Sequence, residues 1–311
     1  MSGGGTAVQA SWASTRERGT LFMMRLMVWG LSLPRWLVAP FVYLATGYFF
    51  LFGGRARAAS RDYLERVARA LPASGLRPSG WHVYRHFLAF SQSILDKLDA
   101  WSGRLDYARI RFENYAVMGR VAPSGRGALL IGSHLGNLEL CRAIAAVSRR
   151  VRLNVLMHTR HASYFSRVLR MAGASDLTIL QVTELDAATA LMLKGRVDQG
   201  EWVVITGDRV PVHGGRTVDV ALLGGHAPMP VGPYVLAALL ECPVFLIFCL
   251  RRAGHHHVYF ERFADRVEWQ RRERDAVLAD LAQRFAGRLE HHLCLEPLQW
   301  FNFYPFWRGD A

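Results

Sequence analysis

Several signatures of common enzyme classes are absent from this sequence. It has no Gly-x-Ser-x-Gly turn, no P-loop, and no Gly-x-Gly-x-x-Gly after a predicted strand. Serine hydrolases, P-loop nucleotidases and dinucleotide-dependent enzymes carry these motifs, because each one positions a nucleophile or a phosphate through a tight backbone turn. Their absence argues against all three classes.

Cysteine is also scarce. The chain has four cysteines and no Cys-x-x-Cys pair. A disulfide framework or a zinc site of the usual spacing is therefore not predicted. We interpret the cysteines as buried, reduced thiols, which fits a cytosolic redox environment.

Acidic residues are in short supply relative to basic ones. Lys and Arg total 38 against 25 Asp and Glu, which gives a formal charge of +13. Such an excess attracts nucleic acid, anionic lipid surfaces or acidic proteins alike, and charge alone does not choose among them. No nucleic-acid-binding module is recognisable, so a nucleic-acid partner is not predicted. The hydrophobic share of 51% and mean hydropathy of +0.09 point instead to membrane contact.

The sequence divides into three predicted parts: a disordered tail at 1–19, a hydrophobic membrane-associated segment at 20–57, and a catalytic domain at 58–311. Residues 36–52 carry no charge, and as a helix they would span about 26 Å, the lower limit for a bilayer core. We predict a membrane-anchor helix there. A helical hairpin or interfacial helix, a signal peptide and a buried core helix are the alternatives.

Beyond the hydrophobic segment, apolar runs of strand length alternate with helical patterns. Strands are predicted at 127–132, 152–157, 177–182, 202–206, 244–250 and 257–262. Helices are predicted at 61–71, 81–98, 138–148, 163–171, 185–199, 233–241 and 269–293. The order predicts an α/β fold, with a mixed, mainly parallel sheet flanked by helices and ligands at the carboxyl ends of its strands.

The most informative motif follows the first of these predicted strands. There the chain reads Ser-His-Leu-Gly-Asn-Leu-Glu, with His134 five residues before Glu139. If a helix begins near Asn137, the histidine lies in the turn and the glutamate in the first helical turn, so the side chains converge. A carboxylate that fixes the imidazole tautomer leaves the other ring nitrogen free to accept a proton. The alternative is a strand-end histidine and a glutamate that only complements the helix dipole.

This His-x4-Glu motif resembles that of the bacterial lipid A lauroyl/myristoyl acyltransferases, within the lysophospholipid acyltransferase superfamily. Three further blocks resemble that family in the same order: His158-Thr159-Arg160, then Ile205 to Arg209 with Gly214-Gly215-Arg216, then Gly232 to Ala237. His134, Arg160 and Asp208 each directly follow a predicted strand.

The resemblance implies an O-acyltransferase that moves a fatty acyl chain from a thioester donor to a hydroxyl of a membrane lipid. His134 and Glu139 would be catalytic. Arg160 and the backbone amides of Gly136 and Asn137 would bind the oxyanion or an acceptor phosphate, and Asp208 and Arg209 would also bind substrate.

The implied donor is acyl carrier protein or acyl-CoA, and no metal or other cofactor is expected. The implied location is the bacterial inner membrane, with the active site at the cytoplasmic face beside an anionic lipid surface. Two other functions stay open on the residues alone: a lipid hydrolase that uses the same dyad on water, and a non-catalytic membrane-anchored lipid-binding protein.

Overall fold

A computed structural model describes residues 33–101, 106–114, 117, 125–138, 152–157, 177–181, 187–210 and 215–307. The predicted tail at 1–19 and the first part of the predicted hydrophobic segment lie outside these residues. So do the predicted helix at 163–171 and all but the first residue of the predicted helix at 138–148.

The centre of the fold is a seven-stranded mixed sheet. The described residues form nine strands, seven of them in this sheet: β1 (Ile110–Glu113), β2 (Leu129–Gly132), β3 (Leu153–Met157), β4 (Leu177–Gln181), β5 (Trp202–Thr206), β6 (Thr217–Leu222), β7 (Gly225–Pro230), β8 (Val244–Arg252) and β9 (His255–Ala264). Their order in the sheet is β1-β9-β8-β2-β5-β3-β4, and β6 and β7 form a separate antiparallel hairpin. Strands β8, β2, β5, β3 and β4 are parallel, whereas β9 is antiparallel to β8 and carries β1 beside it.

All six predicted strands coincide with strands of this sheet, and the predicted mixed, mainly parallel α/β fold is confirmed. Two elements were not predicted. Strand β1 is only four residues long, and two prolines in β7, Pro228 and Pro230, obscure the strand pattern of the β6–β7 hairpin. A hairpin outside the main sheet tolerates these prolines. Proline has no N–H to donate, and this costs less stability on a strand edge that pairs with no further strand.

Helices cover the sheet. They are α1 (Arg35–Phe52), α2 (Gly54–Ala70), α3 (Gly80–Trp101), α4 (Ala187–Asp198), α5 (Gly232–Leu240) and α6 (Arg274–Leu295). Strand β2 is buried along its whole length, so its alternate residues enter two cores. Leu129 and Ile131 pack with α5 and α6, whereas Leu130 joins the core on the other face. This continuous apolar run is what a strand covered on both faces requires.

Helix α1 leaves much of its apolar surface exposed. Trp36, Leu44 and Phe52 are each more than 70% exposed. Such exposure does not fit the alternative of a buried core helix. Within the part of the chain that the structure describes, no single helix is long and apolar enough to cross a bilayer. Residues 36–52 and 54–70 meet that criterion only as a pair, and their axes bend by 89°.

The turn after β2 brings the chain very close to β8. Gly136 has φ +75°, and a Cβ atom there would lie 1.8 Å from the carbonyl oxygen of Cys249. Only glycine can occupy this position, because any other residue would combine a left-handed conformation with a backbone clash.

We expect Gly136→Ala to lower the free energy of unfolding by more than the ~1–2 kcal/mol that a left-handed alanine costs alone. Gly195→Ala in α4 is the control, because no atom lies within 4 Å of its added Cβ. Helix propensity predicts that it stabilises the protein by up to about 1 kcal/mol. Chemical denaturation of both variants measures the difference, and equal stability of the two would contradict the close approach.

Candidate active site

His134 lies just beyond the end of β2, and its side chain contacts a carboxylate from the neighbouring strand. Its Nδ1 is 2.8 Å from Oδ1 of Asp208. Strands β2 and β5 are parallel, with Gly132 beside Thr206. Two further residues along each strand therefore bring His134 and Asp208 side by side at the carboxyl edge of the sheet.

Three N–H groups converge on the Asp208 carboxylate. Oδ2 accepts hydrogen bonds from the backbone N–H of His134 at 2.8 Å and from the indole N–H of Trp300 at 2.9 Å. Oδ1 faces the imidazole. Asp208 is fully buried, so its negative charge depends on these donors for the stabilisation that water would otherwise supply.

The electrostatics keep Asp208 ionised. Burial alone would raise its pKa, but the contact with His134, the charge of Arg209 and the Trp300 hydrogen bond together lower the pKa to about 2. An ionised Asp208 has no proton to donate, so Nδ1 must carry the proton of their shared hydrogen bond. The unprotonated nitrogen of a neutral His134 is then Nε2.

His134 is set up as a neutral base. Its side chain is 35% exposed, and Nε2 has no hydrogen-bond partner among the described residues. Desolvation by the surrounding protein lowers the pKa of His134 below its ordinary value of 6.5, and Arg209 lowers it further, whereas Asp208 opposes both. An unprotonated, accessible ring nitrogen backed by a buried carboxylate is the arrangement of a general base.

Trp300 is the residue of this site that the sequence did not identify. Trp300 belongs to an aromatic run at residues 300–307, a composition that suits core packing at least as well as an acyl tunnel or a membrane interface. Trp300 is in fact buried, and besides its bond to Asp208 it pairs with Leu135 in an isolated β-bridge. A buried tryptophan needs a hydrogen-bond acceptor for its indole N–H, but the sequence does not tell which one.

The segment around Trp300 is held by the N-terminal helices. His86 of α3 donates from Nε2 to the Trp300 carbonyl at 2.9 Å, and the hydroxyl of Ser60 in α2 lies 2.8 Å from Nδ1. Burial lowers the pKa of His86 to about 4, although the bond to Trp300 opposes the shift. This neutral histidine links α2, α3 and the catalytic site.

Arg209 follows Asp208 directly and binds the same C-terminal segment. One guanidinium nitrogen donates to the carbonyl of Phe301 at 2.6 Å, and the group lies 5.7 Å from the ring centre of Tyr304. Its charge lowers the pKa of both His134 and Asp208. Its predicted contact with substrate stays a prediction.

The predicted oxyanion role of the Gly136 and Asn137 amides does not fit the structure. The N–H of Gly136 donates to the Gln299 carbonyl at 2.8 Å, and the N–H of Asn137 donates to the Cys249 carbonyl at 2.9 Å. Both donors are therefore already engaged in holding the turn between β8 and the C-terminal segment. The two residues instead line a cavity of 310 Å³ beside His134.

Two predicted site residues, Glu139 and Arg160, lie outside the described residues. The predicted pairing of Glu139 with His134 and the predicted anion-binding role of Arg160 therefore stay predictions. The position at Nδ1, through which a carboxylate would orient the imidazole, is occupied by Asp208.

Comparison with known proteins gives one family. A model of the bacterial lipid A biosynthesis acyltransferases matches residues 95–309, more than half of the chain, and the match includes His134, Asp208 and Trp300. No curated protein matches the chain significantly.

We expect Asp208→Asn to reduce acyl transfer strongly. The asparagine side chain has one acceptor oxygen. If that oxygen accepts from the backbone N–H of His134 and the indole N–H of Trp300, the NH₂ group faces Nδ1 of His134. That contact places the ring proton on Nε2, the atom that must accept a proton. The wrong tautomer costs roughly 10⁴-fold in a serine-protease triad, and a loss of 10³- to 10⁴-fold is expected here.

The pH dependence of the rate distinguishes this role from a purely structural one. Wild-type activity should persist below pH 6.5 and fall only as His134 becomes protonated, because its pKa is lowered. Asp208 raises that pKa, so Asp208→Asn should move the acid limb of the rate profile to lower pH. Glu261→Gln is the control, since Glu261 holds His292 at 2.8 Å elsewhere in the fold. An acid limb that stays in place in Asp208→Asn would refute the coupling.

Proposed function

We propose that this chain, which belongs to the bacterial lipid A biosynthesis acyltransferase family, transfers a fatty acyl group from a thioester donor to a hydroxyl of a membrane lipid. The observation that supports the proposal best is the buried Asp208 carboxylate on Nδ1 of His134, which leaves Nε2 as an accessible base. The donor is acyl carrier protein or acyl-CoA.

The reaction follows from this geometry. Nε2 of His134 removes the proton from the acceptor hydroxyl while the oxygen attacks the thioester carbonyl carbon, and a tetrahedral oxyanion forms. The C–S bond then breaks, the ester remains on the lipid, and the imidazolium returns its proton to the departing thiolate. Asp208 stabilises the imidazolium between these steps, since its charge is paired with the ring throughout.

We assign the oxyanion or an acceptor phosphate to Arg160, with Arg209 as a second cation. Glu139 is proposed to act with His134 as the carboxylate of the His-x4-Glu motif. Asp208 occupies the position at Nδ1 of His134. Substituting Glu139 and Asp208 one at a time therefore separates their effects on the rate of acyl transfer.

We place the enzyme at the cytoplasmic face of the bacterial inner membrane, with α1 in contact with lipid. The exposed apolar surface of α1 supports this proposal, and so does the basic start of α2, where Arg55, Arg57 and Arg61 follow in quick succession. Basic side chains next to an apolar surface favour anionic lipid. Arg57 also donates to the carbonyls of Phe50 and Leu51, which stabilises the bend between the two helices.

We expect His134→Ala to abolish acyl transfer and to retain the fold at some cost in stability. The ring is partly exposed, and although Asp208 loses one donor, it keeps the His134 backbone N–H and the Trp300 indole. Glu139→Gln should be severely impaired but still measurable, since it keeps an acceptor oxygen without the charge. Product lipid and free fatty acid are quantified together by mass spectrometry with a purified lipid acceptor.

Wild-type turnover by folded His134→Ala would overturn the mechanism. Release of free fatty acid in place of acylated lipid by the wild-type enzyme would identify a lipid hydrolase. Thermal unfolding of each variant confirms that the fold is intact.

Membrane contact is tested by a matched pair of exposed leucines. Leu44 of α1 is 73% exposed and Leu191 of α4 is 72% exposed. We expect Leu44→Glu to weaken binding to vesicles that contain anionic phospholipid by at least about tenfold, because a charge at a lipid-facing position costs ~3 kcal/mol at the bilayer centre. Leu191→Glu should bind as the wild type does.

Removal of the residues before Arg55 should likewise weaken attachment and lower the rate on lipid acceptors. Full-length protein that stays soluble without detergent and does not bind vesicles would refute the membrane proposal.

A further inference from the structure

The cavity beside His134 has a polar lining that the proposed chemistry does not use. It holds 310 Å³ between α3, the β8–β9 turn and the C-terminal segment. Gly136 forms part of its wall, and so does Phe301, whose backbone N–H donates to the His134 carbonyl at 3.3 Å. The cavity therefore adjoins the turn that carries His134, whose imidazole is not itself part of the lining.

One buried hydroxyl in this lining has no hydrogen-bond partner among the described residues. Ser93 of α3 is 6% exposed, and its Oγ atom is buried without a partner. A buried hydroxyl is normally satisfied, because burial without a hydrogen bond costs free energy. Gln92 is the next residue on α3 and adds an amide to the same lining. These groups suit a ligand that carries amides and hydroxyls of its own.

The charges around the cavity favour an anion at its outer end. The two acidic residues of the lining already have cations nearby: Asp96 lies 3.8 Å from Arg251, and Glu296 lies 3.5 Å from Arg252.

Arg85 is exposed and forms no salt bridge with any other described residue, although its charge also acts on Glu296 of the same lining. It lies eight residues from Ser93, about 12 Å along the helix axis. The lining around Ser93 is thus polar, with the ion-paired Asp96 one helical turn away. Arg85 adds a guanidinium, the group best suited to bind phosphate.

The cavity also lies on the side of α3 that is turned away from α1. Ser91 faces α1, where its hydroxyl bonds to that of Thr46. Ser93 is two residues further on and therefore about 200° around the helix. A lipid acceptor held at the apolar surface of α1 and a ligand in this cavity would reach His134 from different sides of α3.

We propose that this cavity binds the phosphopantetheine arm of the acyl donor, with the amides and hydroxyl of the arm at Ser93 and Gln92 and its phosphate at Arg85. The inference rests on the proposed function. The arm is common to acyl carrier protein and coenzyme A, and it is a narrow, amide-bearing chain that ends in phosphate. Threaded through the cavity, it would deliver the thioester to the edge of the sheet where His134 lies.

The test measures binding without turnover. Its probe is the butyl thioether of phosphopantetheine, which cannot transfer an acyl group and has too short a chain to bind through apolar contact alone. We expect Ser93→Ala to weaken binding about fivefold, the effect of one neutral hydrogen bond. Ala89→Phe, which fills the cavity from α3, should weaken binding more than tenfold. Arg85→Ala should also weaken binding of the phosphorylated probe. It should not change binding of the butyl thioether of pantetheine, which lacks the phosphate.

Ser91→Ala is the matched control, a serine of the same helix that faces α1. It should bind the probe as the wild type does. If Ala89→Phe does not fold, as thermal unfolding reveals, the smaller Ser93→Ala and Arg85→Ala changes carry the test. Wild-type affinity of the probe for both of these folded variants would overturn the inference, as would a rise in KM for the lipid acceptor with donor KM unchanged.

Kinetics separates the two sources of the arm. If the shared arm carries recognition, Ser93→Ala should raise KM for acyl-CoA and for acyl carrier protein by the same factor. An effect on neither donor would refute the inference. Because the thioether binds without reacting, it still reports the cavity if His134→Ala retains activity and the proposed mechanism fails.

Discussion

The buried charge of Asp208 is the constraint on which the site depends. A carboxylate without access to water is stable only if donors replace the water, and here three N–H groups do so. The donors are distant in sequence, 74 residues away at His134 and 92 at Trp300. Any displacement of β2, β5 or the C-terminal segment would leave part of the charge unsatisfied. The same interaction therefore joins three parts of the chain and fixes the imidazole.

The constraint extends outward to the N-terminal helices. Trp300 binds Asp208 through its indole and His86 through its carbonyl, and His86 in turn contacts Ser60 of α2. Each link is a buried hydrogen bond between neutral partners, except at Asp208 itself. Helices α2 and α3 are thus connected to His134 through Trp300 and Asp208, and α3 in turn contacts α1, which carries the exposed apolar surface. If α1 binds lipid as proposed, this connection sets the position of His134 relative to the lipid. It does so whether or not membrane binding changes the imidazole itself.

Much of this arrangement was predictable from the sequence, but the partner of His134 was not. The apolar runs predicted six strands of the main sheet and placed His134, Arg160 and Asp208 directly after three of them, but they did not predict that His134 contacts Asp208. Glu139 was the nearer carboxylate along the chain, and local spacing favoured it. The choice of Asp208 at Nδ1 depends on the register of β2 against β5, where Gly132 lies beside Thr206. Register is a long-range property, and a one-residue slip would turn Asp208 to the other face of the sheet.

Helix α3 resolves a problem that is inherent in the proposed chemistry, because the two substrates differ in solubility. A lipid hydroxyl remains near the bilayer, whereas a thioester donor approaches from water. One surface of α3 packs on α1 and its exposed apolar side chains, and another forms the wall of the polar cavity. Since Ser91 and Ser93 lie about 160° apart around the helix, the two proposed substrates would approach along different faces of α3. In the proposed reaction the two approaches meet at His134, whose side chain is partly exposed.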